Sequence, residues 1–284
     1  MESNELIKYL ERKALKLRYH ILEMIGVGKT GHLGGSSSCA EIVATFYFYW
    51  MKLNPNNPND PERDRFLLSK GHAALVQYAA LAELGYFPVE ELKKVKTLGS
   101  MLQGHPDMKS TPGVEANTGS LGQGLSIALG MALGLRLDGR GSRVYVILGD
   151  GELAEGQVWE AAMAASHYKV DNLVAIVDKN GIQATGPVEE RLSSDPLAPK
   201  WSAFGWHVIE INGHSIEEIL NALKEADSIK GQPTVIIAHT IKGKGFSFAE
   251  NNAAFHNGAL TQEQYLIAKD ELERLMQGGE RNEN

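Results

Sequence analysis

Val144-Tyr145-Val146-Ile147-Leu148-Gly149-Asp150-Gly151-Glu152 is the stretch on which the fold turns. Its first five residues are apolar without alternation, the pattern of a strand buried on both faces of a parallel sheet, and Gly-Asp-Gly then forces a turn. A second run of the same kind, Leu173-Val174-Ala175-Ile176-Val177, leads into Asp178-Lys179-Asn180-Gly181-Ile182. Between the two, Glu155 to Tyr168 favours helix, so the segment predicts one β-α-β unit. Asp150 and Asn180, thirty positions apart, are thereby delivered to the carboxyl ends of parallel strands, where open α/β sheets bind ligands. A carboxylate, an amide oxygen and a loop carbonyl are hard donors; they suit Mg²⁺ or Ca²⁺, not zinc, and leave positions for phosphate oxygens. The glycines beside Asp150 admit close backbone approach, and the following helix offers free N–H groups to an anion. The triplet alone is read more simply as an acid in a sharp strand-to-helix turn. The spacing and the intervening unit favour a metal–diphosphate clamp.

Working outward, strands are expected at Arg65–Leu68, Val144–Leu148, Leu173–Asp178, His207–Ile211 and Thr234–Ala238, separated by helical stretches. That alternation predicts an α/β fold with a doubly wound, mostly parallel sheet and helices on both faces. Helices are expected over Leu6 to Gly26, Cys39 to Met51 and Leu125 to Leu137, and Ser215-Ile216-Glu217-Glu218 is a capping box opening a helix to Ser228. No repeat or linker divides the chain, so residues 1–260 read as one domain, followed over 261–284 by an amphipathic helix, Gln262 to Met276, and a polar tail.

Composition narrows the partners. With 28 basic and 35 acidic residues the net charge is −7, which disfavours nucleic acid, since phosphate backbones demand clustered basic surface. No membrane association is expected: the most apolar stretch, Ala40 to Met51, contains Glu41 and is too short to span a bilayer, and Met1-Glu2-Ser3-Asn4-Glu5 lacks the basic start of a signal peptide. Cys39 stands alone and is expected to be packed, not reactive; together these features predict a cytoplasmic protein.

Two glycine-rich segments invite other readings and fail them. Gly26-Val27-Gly28-Lys29-Thr30 ends like a phosphate-binding Walker loop, but Glu23 stands where its first glycine is needed and a helix precedes it. Gly119-Ser120-Leu121-Gly122-Gln123-Gly124 has its glycines in the wrong order for a dinucleotide fingerprint. Among nine histidines, His20, His167, His207 and His214 read as structural or solvated, and His239 is open. His32, His72, His105 and His256 sit in glycine-flanked loops that can converge at one mouth of a sheet. Lys242 and Lys244 could steer anionic substrates, but the favoured expectation is solvated loop lysines.

Five segments in one order carry a family resemblance: Gly31-His32-Leu33-Gly34-Gly35-Ser36, Leu68-Ser69-Lys70-Gly71-His72-Ala73, Gly104-His105-Pro106-Asp107, Thr118 to Gly124, and Asp150 to Gln157. With Asn180 they resemble the thiamin-diphosphate signature and the amino-terminal half of transketolase, over roughly residues 5 to 260. The resemblance implies thiamin diphosphate and Mg²⁺ (or Ca²⁺) as cofactors. It implies Asp150, Asn180 and the Ile182 carbonyl as metal ligands, and Gly151 N–H and His72 at the diphosphate, with Asn180 shared between metal and cofactor. Gly119, Ser120 and Leu121 would line the aminopyrimidine side. His32 and His105 would contact the first hydroxyls of a ketose, and His256 would lie between diphosphate and substrate. Glu155 would join a carboxylate network between two active sites. Leu33 and Lys179 depart from the family's usual residues without removing a ligand.

At 284 residues the chain is shorter than a whole transketolase, so the resemblance implies the amino-terminal subunit of a split enzyme, as in pentose phosphate or related sugar metabolism. It would work in a heterotetramer with a carboxy-terminal subunit that supplies the pyrimidine-binding domain. An α-type subunit of a 2-oxo-acid dehydrogenase or decarboxylase shares the clamp, and a non-catalytic cofactor-fold module is the more distant alternative.

Overall fold

A computed structural model describes residues 3–281. Five strands, β1 (Arg65–Leu68), β2 (Val144–Gly149), β3 (Leu173–Lys179), β4 (His207–Asn212) and β5 (Thr234–His239), form one sheet in the order β1-β2-β3-β5-β4. Every pairing in it is parallel. Each strand lies within a residue of its expected limits, because each is an apolar run closed by a polar or glycine residue at the mouth of the sheet.

Alternate side chains feed two cores. Phe66, Leu68, Tyr145, Ile147, Val174, Ile176 and Ile236 pack on one face beneath α1 (Ser3–Ile25), α2 (Ala40–Thr45), α3 (Ala74–Glu83), α7 (Ile216–Ser228) and α8 (Gln262–Arg281). Leu67, Val144, Val146, Leu148, Ala175, Val177 and Ile237 pack on the other against α4 (Gln123–Leu137), α5 (Gly156–His167) and α6 (Leu197–Ala203). Each fully buried Val, Leu or Ile contributes about 1.5–3 kcal/mol, so two apolar faces per strand fix both the register and the doubly wound arrangement.

Several local expectations are refined. The helix expected from Cys39 to Met51 is α-helical only to Thr45 and continues as a π-helical turn over Phe46–Trp50, where five aromatic side chains crowd one turn. Ser215 caps α7 by accepting from Glu218 N (3.3 Å), but the Glu218 carboxylate accepts from Asn212 N (2.8 Å), tying the helix to the end of β4. Helix α8 runs past Met276 to Arg281 and buries Ala268 and Leu272 in the same core as α1. Of the polar tail expected over 278–284, residues 282–284 lie outside the described ones. No helix of the described residues is long and apolar enough to cross a membrane. Cys39 is fully buried, and burial pushes its thiol up to about 11.

Candidate active site

The carboxyl ends of four strands open on one cavity of about 230 Å³. Lys70 and His72 follow β1, Asp150 and Gly151 follow β2, Asn180 to Thr185 follow β3, and Lys242 follows β5. A short antiparallel pairing of Thr30–Gly31 with Gly258–Ala259 sets His32 beside His256. The four loop histidines converge: His32 lies 5.2 Å from His72, 6.0 Å from His105 and 5.4 Å from His256 between ring centroids, and His72 lies 4.9 Å from His256. The remaining five histidines are elsewhere, with His20 on Glu83, His207 on Glu225, His239 on Glu210, His214 on Glu41 and His167 against the Tyr168 ring.

Asp150 and Asn180 stand together as the β-α-β reading requires. Asp150 is buried, and its two carboxylate oxygens accept from Gly151 N (2.8 Å) and Gly181 N (2.6 Å). It has no ion-pair partner among the described residues, and burial, with the nearby Asp178 charge, raises its pKa. An uncompensated buried carboxylate favours a cation beside it. Asn180 Oδ1 accepts from Ile182 N (3.2 Å), and its Nδ2 donates to Asp178 Oδ2 (2.9 Å), which fixes which end of the amide faces the cavity. Among the described residues no trio of His, Cys, Asp and Glu is placed to hold a metal. The donors here are one carboxylate, one amide oxygen and the Ile182 carbonyl, an all-oxygen set that fits Mg²⁺ or Ca²⁺ only when ligand oxygens and water complete it.

Two buried cations face this group, and sequence reading missed both as site residues. Lys70 is 1 % exposed and bonds the Gly35 carbonyl (2.7 Å) and the Asp178 carboxylate. Lys242, expected in solvent, is 2 % exposed: its ammonium donates to the Ile182 carbonyl (2.5 Å) and to His256 Nδ1 (2.9 Å). It bonds no carboxylate among the described residues, and burial lowers its pKa to about 8. A buried ammonium without a counter-ion fits an anionic ligand such as a diphosphate. Because Lys242 donates to Nδ1, the His256 proton belongs on Nε2. The signal for Lys70 was its place in Ser69-Lys70-Gly71-His72 at a strand end. For Lys242 the one signal was its place in a lysine-glycine loop that could steer anions, and its burial was not foreseen.

Other predicted residues fall on either side of the cavity wall. Leu121 lines the cavity, Gly119 lies so close beneath His105 that a Cβ there would collide with its ring, and Ser120 is exposed. The Gly151 N–H, assigned to the diphosphate, is turned to Asp150 in this arrangement. Glu155 is exposed at the entry to α5, its side chain against Gly122. Glu152, which sequence reading passed over, is buried and ties the end of β2 to the turns after β1 and before α4, accepting from Gly149 N (3.0 Å), Ser69 Oγ and Gly122 N (2.9 Å).

The histidines are held neutral. Burial first, then the neighbouring positive charges, lowers His72 to about 2, His32 to about 3 and His256 to about 4. A neutral imidazole offers one donor and one acceptor to a sugar hydroxyl. The same shifts predict acid sensitivity in the cofactor-free chain. Since the folded pKa values lie below the unfolded value of about 6.5, stability is full above that pH and falls as the pH drops towards 4, because only the unfolded chain takes up these protons. Each histidine adds at most about 1.4 kcal/mol per pH unit. Urea midpoints between pH 7 and 5 should fall, and less steeply for His72→Asn; equal slopes would refute the attribution.

Parallel strand ends that bring an acid–amide pair and buried ammonium groups to one mouth are the build of a diphosphate-side cofactor domain. Residues 11–274 match the family model described as transketolase, thiamine diphosphate binding domain, and the chain belongs to that family. It is 48 % identical over 265 residues to the 6-deoxy-6-sulfo-D-fructose transketolase subunit SqwG of Clostridium sp. (strain MSTE9), covering 93 % of this chain and 96 % of that protein. It is 40 % identical to an apulose-4-phosphate transketolase subunit of Phocaeicola vulgatus, covering 98 % of this chain and 99 % of that one. The solved transketolase of Campylobacter jejuni superposes with a TM-score of 0.88 at 33 % identity, over 94 % of this chain and 43 % of its own. The chain thus spans under half the length of the solved transketolases it matches.

Proposed function

We propose that this chain is the cofactor-binding subunit of a split transketolase, transferring a two-carbon ketol unit from a ketose to an aldose. The convergence of His32, His72, His105 and His256 above the Asp150–Asn180 clamp carries the reading. Two relatives matched over nearly their whole lengths are named as transketolase subunits, which supports a partner chain bearing the pyrimidine-binding domain, in a heterotetramer. Their names also share a substrate chemistry, a sugar with an anionic end. The cytoplasm is the compartment we infer.

With the cofactor bound, Asp150 and Asn180 would hold Mg²⁺ (or Ca²⁺), with the Ile182 carbonyl, which accepts from Lys242 here, as third protein donor, and Lys242, His72 and the Gly151 N–H, which Asp150 engages here, would meet the diphosphate. When bound, thiamin diphosphate supplies the nucleophilic carbon and the electron sink for cleaving the bond beside the ketose carbonyl. His32 and His105 hydrogen-bond the first sugar hydroxyls and shuttle the protons that bond cleavage and formation release and require. His256, with its proton on Nε2, donates toward the substrate side while Lys242 fixes its ring. Gly119, Ser120 and Leu121 close the pyrimidine side, and Glu155 links to the second site of the assembly.

Co-purification identifies the partner, and a donor-ketose screen on each chain separately and on the mixture tests the reading. Ketol transfer is expected only in the mixture. Transfer by the rigorously purified chain alone would refute the split arrangement, oxidative decarboxylation of 2-oxo acids would install the dehydrogenase reading, and inactivity with every partner would leave a non-catalytic module.

A further inference from the structure

Arg18 on α1, Glu41 on α2 and His214 in the turn between β4 and α7 meet beneath the loop that follows β5. The Glu41 carboxylate accepts from both terminal nitrogens of Arg18 (2.6 and 2.8 Å), and His214 Nδ1 lies 3.0 Å from it. Arg18 and Glu41 are buried. Two further contacts of the group reach the loop itself: His214 Nε2 accepts from Ile241 N (2.8 Å), and Arg18 Nε donates to the Lys244 carbonyl (2.8 Å). A backbone N–H can only donate, so the His214 proton sits on Nδ1 and points to Glu41. The turn that carries the ring is fixed in its own right, with His214 N donating to Asn212 Oδ1 (3.0 Å).

The two gripped residues stand on either side of Lys242. That ammonium is buried and bonds no carboxylate among the described residues, so its own solvation favours a loop that swings outward. The loop is instead drawn in. The Lys242 stem crosses Gly34, where an added Cβ would come within 2.9 Å of its Cγ, and Gly243 N donates to the Gly34 carbonyl (3.1 Å). Gly245, at a φ of 89°, lies so close to Arg18 that a Cβ there would meet Cδ at 2.8 Å. Packing of α1 on α2 does not account for the group, because Leu17, Ile21, Leu22, Ile42 and Val43 already supply that contact and need neither an imidazole from a third element nor two bonds to a loop.

We propose that His214, backed by Glu41 and Arg18, is a positioning residue for Lys242: it clamps the loop after β5 so that the ammonium stays at the cavity, on the Ile182 carbonyl and His256. The functional meaning rests on the reading of Lys242 as a diphosphate contact, and the inference adds to that reading the support that keeps an unpaired ammonium in place.

Two replacements of similar shape separate the bonds of the ring. His214→Asn carries its amide where Nδ1 stands, keeping a donor for Glu41 and losing the reach to Ile241, whereas His214→Gln extends an amide oxygen to the Nε2 position and accepts from Ile241 N. In the full chain, acetylation of Lys242 by acetic anhydride, read by mass spectrometry against exposed Lys224, is expected to quicken several-fold in His214→Asn and to stay near the parent rate in His214→Gln. Lys70, buried at the same mouth but bonded outside this loop, should stay slow in both. Equal Lys242 rates in the two variants, or Lys70 quickening in step with Lys242, would overturn the assignment. In the assembled enzyme, calorimetric titration with thiamin diphosphate and Mg²⁺ should show His214→Asn weakening binding about 3- to 10-fold, the net worth of one hydrogen bond, and hardly at all when Lys242→Met is already present. No loss on the parent background, or equal losses on both, also overturns action through Lys242. Absence of thiamin diphosphate binding by the parent enzyme counts against the cofactor reading, and the labelling arm still decides whether His214 places Lys242.

Discussion

Asp150→Ala in the assembled complex is expected to lower the affinity for thiamin diphosphate in the presence of Mg²⁺ by at least about 100-fold, beyond the 10- to 100-fold typical of losing a residue that merely supports a ligand. The substitution removes the one carboxylate of the proposed oxygen set and leaves an amide and a carbonyl, too little charge to hold a hydrated divalent ion. It also frees Gly181 N–H, which the carboxylate now anchors at 2.6 Å, so the turn that presents Asn180 loosens. The fold itself should survive, because burial already disfavours the charged form of Asp150 and it forms no ion pair among the described residues. Calorimetric titration reads the effect, with thermal unfolding of the apo form as the control. Unchanged affinity would remove Asp150 from the metal site.

Lys70→Met should give the largest loss of stability of any single change at the mouth, about 3–5 kcal/mol, the range for stranding one member of a buried ion pair. Asp178 is fully buried and accepts from Lys70, Ser38 (2.7 Å), Thr240 and Asn180 (2.9 Å). Its pKa is depressed because the Lys70 charge and these donors together outweigh its burial. Without the ammonium, a fully buried carboxylate that has lost its counter-ion remains. Lys70→Met combined with Asp178→Asn should recover most of the loss, since the new amide oxygen can still accept from Ser38 and Asn180 while its NH2 donates to the Thr240 hydroxyl, and it carries no charge. Urea unfolding of the single and double variants measures the coupling. Additive losses would show that the pair contributes packing only. The double variant also separates folding from function, because it no longer carries the charge that orients the Asn180 amide.

The sheet was legible because each strand is a short apolar run ended by a residue that cannot continue it: Gly149-Asp150, Asn180-Gly181, Asn212-Gly213. The grouping of His32, His72, His105 and His256 was legible from motif order and their glycine-flanked loops, but only His72 and His256 follow strands of the sheet; the pairing of Thr30–Gly31 with Gly258–Ala259 places His32. Lys242 was not. Its burial depends on the Ile182 carbonyl and on His256, brought to it by β3 and by the loop beyond β5, and no local pattern encodes either contact. The same limit hid Glu152, whose neighbours in sequence read as a helix start while two of its three donors, Ser69 after β1 and Gly122 before α4, are distant in sequence. The π-helical turn at Phe46–Trp50 also escaped, because apolar periodicity does not distinguish it from the helix it extends.

The two-residue pairing of Thr30–Gly31 with Gly258–Ala259 joins segments that lie almost a full chain length apart. On a ribosome, where synthesis proceeds from the amino terminus, the parallel sheet is complete in sequence once β5 has emerged, yet His32 has no template until the last turn before α8 is made. Contacts of such separation are slow to form. A nascent or clipped chain ending near residue 250 would therefore carry every strand of the sheet but lack both the segment that templates His32 and α8, which buries Ala268 and Leu272 in the core with α1.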